Sequence, residues 1–324
     1  TVGAGTGLIR FQTMLDLGSM AGTHTLNVFS AGGIEINAAI KASTTGDALN
    51  LNLTAAGNVT IASGVEVLLN SGTFTSSGVD FSGGKLISAG GGGVWLNHTG
   101  DISLGSVTTL AAAPGSTSLW VRGTSFKSTG TLKTIGGNID IQTSAGGVDI
   151  GGGPGVVVDA GSGDISIRAK DTLVSSAPIT GNNISLFSGK DATISANIIG
   201  TGVLDIRAGR DGLGVLAFTG AGPALNLQGS TISLAAGNSA IPGSTVRFAR
   251  SVNLTSTLKS TSISAGAGLI DIQGGVTVAQ TNDATLTMTA DDVNLAGSLN
   301  SVVGGRLRFA TGTSSQNISL GGSG

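Results

Sequence analysis

Gly161 to Ala169 reads GSGDISIRA and Gly200 to Ala208 reads GTGVLDIRA, nearly the same nine residues 39 positions apart. Recurrence at a fixed distance is the signature of stacked structural units, and it restricts the chain to folds built by repetition. Aligning the triplets in which two apolar residues flank an outward one extends the pair into a series. Its first members are Ile165, Ile184, Leu204, Leu225, Val246, Ile270, Leu286 and Leu307, with steps of 16 to 24 residues centred near 20. These eight residues are the expected core ladder. The same register is followed upstream through Ile9, Ile34, Val59, Val79, Ile102, Leu119 and Ile139.

Short alternating segments such as Ile34-Glu35-Ile36 and Ile139-Asp140-Ile141, bounded by Gly, Asn, Asp and Ser, carry the half-buried strand signal. No stretch sustains the 3.6-residue period of a helix. The 56 glycines lack the every-third spacing of collagen, and a mean hydropathy of +0.34 with 10% charged residues excludes a charged disordered chain. The reading is an all-β, single-stranded parallel β-helix (a β-solenoid) of about 20 residues per coil, stacked so that like positions superpose. A second apolar register, Ile194, Val215, Ile232, Val252, Val276, Val293 and Ile318, implies more than one strand per coil. Residues 1–324 are expected to form one continuous β-helix of fifteen coils, with a loop or enlarged turn near 145–155, where AGGVDIGGGPG stands.

Composition removes several functions. A formal charge of −2 without any Lys/Arg cluster speaks against a nucleic-acid partner. No apolar run approaches the roughly 20 residues that cross a bilayer, so membrane insertion is not expected. The amino-terminal TVGAGTGLIRFQ lacks the basic and apolar regions of a signal peptide, and the chain is expected to be processed or cut from something longer. With no Cys and two histidines, His24 and His98, a metal site or a Ser/His/Asp triad has little material, and both histidines read as exposed turn or edge residues. No cofactor, catalytic residue or metal ligand is expected.

The remaining motifs read as structure. Asp291-Asp292 is an acidic turn, and GAGTGL (3 to 8) is a tight corner lacking the helix that a phosphate loop needs. Arg168 and Arg207 occupy matching places and read as solvated. The threonines of TLTMT (285 to 289) and TFT (73 to 75) do not repeat in neighbouring coils. Phe29, Phe74, Phe126, Phe187 and Phe218 read as core filler, and Trp95 and Trp120 as isolated. Six Asn-x-Ser/Thr sequons begin at Asn52, Asn58, Asn97, Asn183, Asn253 and Asn317, and are candidate glycosylation sites.

The units GDISLGSV (100 to 107), GDISIRA (163 to 169) and NNISLFSG (182 to 189), in a Gly/Ser/Thr/Asn-rich chain without Cys, resemble the repeats of filamentous-haemagglutinin-like exoproteins. Those are large adhesins of Gram-negative two-partner secretion. The resemblance implies a right-handed parallel β-helix, secreted to the bacterial cell surface, with adhesion or scaffolding as its role. The Asn-Pro motifs of that family's secretion domain are absent, so the chain would be an internal stalk or repeat segment. The expected function is a non-catalytic stalk or fibre body, whose partner is a receptor or glycan on a host or neighbouring cell. End-to-end self-association into a filament is the alternative. A lateral binding face would need exposed aromatics on adjacent coils, and a polysaccharide-cleaving enzyme would need an acid pair in a groove.

Overall fold

The computed structural model describes residues 2–4, 7–17, 22–42, 46–90, 92–110, 115–151, 153, 155–237 and 242–313. Among them every regular element is a strand, and the stacked coils form a β-solenoid of about twelve turns, roughly 24 residues each. The chain divides into two compact units, Thr1–Arg168 and Ala169–Gly324.

In the first unit each turn contributes three short strands. Thr23–Ser30, Ile34–Ile36 and Ile40–Lys41 are followed by Ala48–Ala55, Val59–Ile61 and Glu66–Leu68, and each strand pairs in parallel with the third strand after it. Pairing neighbours lie about 4.8 Å apart, so residues in register form columns. One inner column runs Ile9, Ile34, Val59, Phe81, Ile102, Phe126, Val148. Another runs Ile40, Val67, Ile87, Val107, Leu132, Val158, and all of its members are buried. The alternating triplets form these strands because the pleat sends every second residue inward, where the aliphatic columns exclude water.

The second unit keeps three faces but lets strands run on around the corners. Leu225–Ala236 serves one face up to Gly229 and another from Thr231 onward, across a register shift between them. Its inner columns include Leu186, Ile206, Leu234, Ile263, Met288, Phe309 on one face and Ile194, Phe218, Phe248, Ile272 on another.

The expected ladder is therefore corrected after Leu204. Ile184 stacks on Leu204, and Leu204 on Ile232, whereas Leu225 belongs to the face of Ile198 and Val252. Val246 and Ile270 stack on one another on the second face, and Leu286 and Leu307 return to the first. Three faces some eight residues apart place an inward apolar residue at almost any step near 20, so a spacing of 20 does not distinguish a whole turn from a turn less one face. Upstream, Phe81 pairs with Val59, but Leu119 and Ile139 lie on a different face from Ile102. Within 145–155 the strand Val148–Ile150 pairs with Phe126–Ser128.

Glycine marks places where coils approach too closely for a side chain. A Cβ on Gly105 would overlap the carbonyl oxygen of Gly84 in the coil below, and one on Gly163 would overlap that of Gly137. Of the phenylalanines, Phe74, Phe126 and Phe218 fill the core as expected. Phe29 is exposed, and Phe187 points outward, with the guanidinium of Arg210 4.9 Å from its ring.

Phe218 and Phe248 stack with centroids 5.0 Å apart at 13°. Replacing Phe218 with Ala is expected to lower unfolding free energy by about 3–5 kcal/mol through the cavity left in this column. Phe187→Ala, on the outer face, is expected to lower it by about 1 kcal/mol or less. Urea denaturation of the two variants checks both values.

Candidate functional site

The strands Phe74–Gly78, Val94–His98, Thr117–Gly123 and Asn138–Thr143 stack in that order in the first unit. The inward column Ser76, Leu96, Val121, Ile141 runs between two outward ones. One runs Asn52, Thr75, Trp95, Trp120, Asp140, Ser166, and the other Thr54, Ser77, Asn97, Arg122, Gln142, Arg168. Trp95 and Trp120, which read as isolated, are thus column neighbours on adjacent coils. This contact corrects that expectation.

The indole centroids lie 5.6 Å apart with the rings tilted by 32°. The indole N–H of Trp95 donates to the carbonyl of Gly92 at 2.7 Å, which fixes the ring and removes its only donor. Trp95 remains 38% exposed, and its neighbour on the other side is the short Thr75, so the aromatic column ends in a step. Behind it, the Arg122 guanidinium sits 4.5 Å from the centre of the Trp120 ring. Arg122 Nη2 donates to Asp140 Oδ2 at 2.7 Å, and Nη1 to the carbonyls of Val121 and Asp140 at 2.8 and 3.3 Å. A groove of about 320 Å³ runs beside the second column, lined by Asn97, Thr99, Arg122, Gln142 and Ser144 among others. The arrangement offers a fixed aromatic surface, exposed amides at Asn97 and Gln142, and a cation whose charge is already matched.

His98 closes the strand behind this face. It is buried rather than exposed, with Nε2 3.0 Å from Ser76 Oγ and its ring 5.3 Å from that of Phe81. Gly78 is its register partner; a Cβ there would meet the imidazole at an ordinary 3.4 Å but would stand 2.6 Å from the carbonyl oxygen of Gly57 in the adjacent coil, so the glycine answers to backbone crowding. His24 lies within the strand Thr23–Ser30 and is half-buried.

Two further grooves hold charged side chains. Asp80 and Asp101 line one of about 420 Å³ with Lys127. Asp80 Oδ1 accepts the Asp101 backbone N–H at 2.9 Å, Asp101 Oδ1 accepts the Ser125 hydroxyl at 2.7 Å, and Lys127 pairs with Asp149 at 3.7 Å. These carboxylates tie one coil to the next. In the second unit Arg207 and Arg210 line a groove of about 460 Å³. Arg207 Nε donates to both Asp205 oxygens at 2.9 and 3.0 Å, and that hydrogen bonding raises its pKa. Arg168 stands beside Gln142 in the first unit.

The sequons differ in what their amides do. Asn52 Nδ2 donates to Asn27 at 2.8 Å and Asn253 Nδ2 to Asn226 at 3.0 Å, both in amide ladders between coils. Asn58 Oδ1 accepts the Asp80 N–H at 3.2 Å and Asn183 Oδ1 that of Val203 at 2.9 Å. Asn97 is exposed on the tryptophan face. Asn317 and Ile318 lie outside the described residues, as do Gly5 and Thr6 of GAGTGL. Asp291 and Asp292 lie within the strand Thr285–Leu295 rather than in a turn, and Asp291 accepts two bonds from Thr313. Thr285, Thr287 and Thr289 stack on Ser260, Ser262 and Ser264, so the hydroxyl repeats though the threonine does not. Among the described residues no group of three or more His, Asp or Glu is placed to hold a metal ion.

No protein-family model, curated protein or solved structure matches the chain.

Burial lowers the His98 pKa to about 4, against weaker raising effects from the Val79 backbone and Asp80. The unfolded chain therefore binds a proton near pH 6.5 that the folded chain refuses. Stability is expected to fall as pH drops from about 6.5 toward 4, by about 2 kcal/mol after allowance for partial solvent access, and to level below that. His98→Gln, which does not titrate, is expected to remove this part of the slope. Urea midpoints of both proteins across that pH range check it.

Proposed function

We propose that the chain is a non-catalytic adhesive segment, a β-solenoid exported to a bacterial surface, where its lateral face binds a receptor or glycan on another cell. Its resemblance to filamentous-haemagglutinin-like exoproteins agrees with this reading. The observation that carries it is the Trp95–Trp120 pair, the chain's only two tryptophans, placed on one outer column at adjacent coils. Rigid exposed aromatics are the side chains that most often dominate binding energy at protein surfaces.

Many of the remaining charges act as bracing. Arg10 pairs with Glu35, Lys85 with Glu66, Lys133 with Asp159, Lys190 with Asp171 and Arg247 with Asp271, in each case between adjacent coils. Exposed pairs of this kind add little stability each, yet they match opposite charges where these pairs stand. Such a surface suits a body whose task is to hold one face in position.

The test is retention of bacterial and animal cells on a surface coated with the chain. Trp95→Ala combined with Trp120→Ala is expected to reduce retention about fivefold or more while leaving the thermal midpoint within a few degrees. Retention unchanged by the double substitution overturns the reading. Release of cleaved glycan fragments from those cells also overturns it, in favour of catalysis by Asp80 and Asp101.

A further inference from the structure

We infer that the tryptophan face binds an uncharged glycan, with one pyranose ring seated on Trp95 at the step above Thr75. The inference rests on the adhesive reading and names its ligand class. Three features of the face select this chemistry.

The first is the form of the apolar surface. It is a single indole step rather than a broad patch, and its surroundings are Thr75, Ser77, Asn97 and Gln142. A protein partner's hot spot needs surrounding contacts that exclude water, and these side chains are short or polar. A pyranose needs only one flat surface: its polarised C–H groups meet the electron-rich indole face, while its hydroxyls stay at the rim.

The second is the polar register. Asn97 lies two residues from Trp95 on the same strand face, about 7 Å along the strand, and Gln142 stands in the same column as Asn97. Primary amides both donate and accept, as sugar hydroxyls do. The groove along this column leaves room for a second sugar beside the stacked one.

The third is charge. Arg122 is bound to Asp140 and to two carbonyls, so it offers no unmatched cation to a sulfate, uronate or phosphate. The next cation in the column, Arg168, adjoins Gln142 but stands three coils from Trp95, about 14 Å along the stack. Nucleobases also stack on indoles, but a single strand needs a basic track along its backbone. The Gly92 bond and the Trp120–Arg122–Asp140 layers hold Trp95 still before any ligand arrives, which reduces the ordering cost of binding.

The chain's only tryptophans are both in this face, so their emission reports on the site without background. The experiment titrates the chain with neutral hexose and N-acetylhexosamine oligosaccharides and with sulfated and uronic ones, at low and high salt. The chain used has its unmodified mass, so that no sugar attached to Asn97 occupies the step. A saturable shift with a neutral oligosaccharide, insensitive to salt, is expected. Trp95→Ala is expected to weaken binding about tenfold or more, read by calorimetry, and Asn97→Ala or Gln142→Ala about threefold. Phe187→Ala, on the second unit, is expected to leave it unchanged.

Saturation by charged glycans alone, lost at high salt, overturns the inference. So does Trp95-dependent cell retention that disappears when the cells are treated with protease while no neutral glycan binds; the adhesive reading then stands. Neutral glycan binding together with cell retention that ignores both tryptophans supports the inference and removes the adhesive reading instead.

Discussion

Everything in this protein depends on the parallel ladder that joins each coil to the next. Because every backbone donor and acceptor in a strand is directed along the stack, a residue's nearest neighbours are its register partners, some 20 to 30 positions away in sequence. The inward half of each register becomes an aliphatic column such as Ile40 to Val158. The same ladder dictates where glycine must stand, since at Gly105 and Gly163 the backbone of the adjacent coil occupies the space of a side chain. On the outside it brings opposite charges together, as in Lys133 over Asp159, so that electrostatic repulsion does not accumulate along a column.

The strands were legible because alternation is local. Ile34-Glu35-Ile36 and Ile139-Asp140-Ile141 announce a half-buried strand with no knowledge of what lies above or below. The columns were less legible, because they depend on turn length, which varies. Val94 to Leu119 is 25 residues, Leu119 to Ile139 is 20, and Leu204 to Ile232 is 28. No constant period follows such a path, and three faces per turn supply an inward aliphatic wherever the count slips. Leu225 was thus placed above Leu204 when it lies on another face.

The tryptophan face was hidden for the same reason. Two tryptophans 25 residues apart look unrelated until a turn of that length sets one upon the other. The available signal was the matching context, Val94-Trp95-Leu96 and Leu119-Trp120-Val121, in which each tryptophan is the outward residue of an inward pair. His98 shows the complementary limit. Polarity argued for exposure, but the pleat, counted from Leu96 inward to His98 inward, argued for burial, and Ser76 in the adjacent coil sets a hydroxyl 3.0 Å from Nε2. In a stacked fold the pleat outranks polarity where a neighbouring coil supplies a polar partner.

A solenoid can carry such a face at little structural cost. Outward columns are separated from the core by the strand backbone, so Trp95 and Trp120 replace the short residues found elsewhere in the column without disturbing Leu96 or Val121 behind them. The backbone also holds the tryptophans rigidly, because each strand bearing one is hydrogen-bonded on both sides. His98 alters this separation at one point. It lies next to Asn97 in the strand and faces inward, so the packing that keeps its imidazole uncharged also sets the position of Asn97 outside. One strand of five residues, Val94–His98, thus sets an exposed indole at Trp95 on one side and a buried imidazole at His98 on the other.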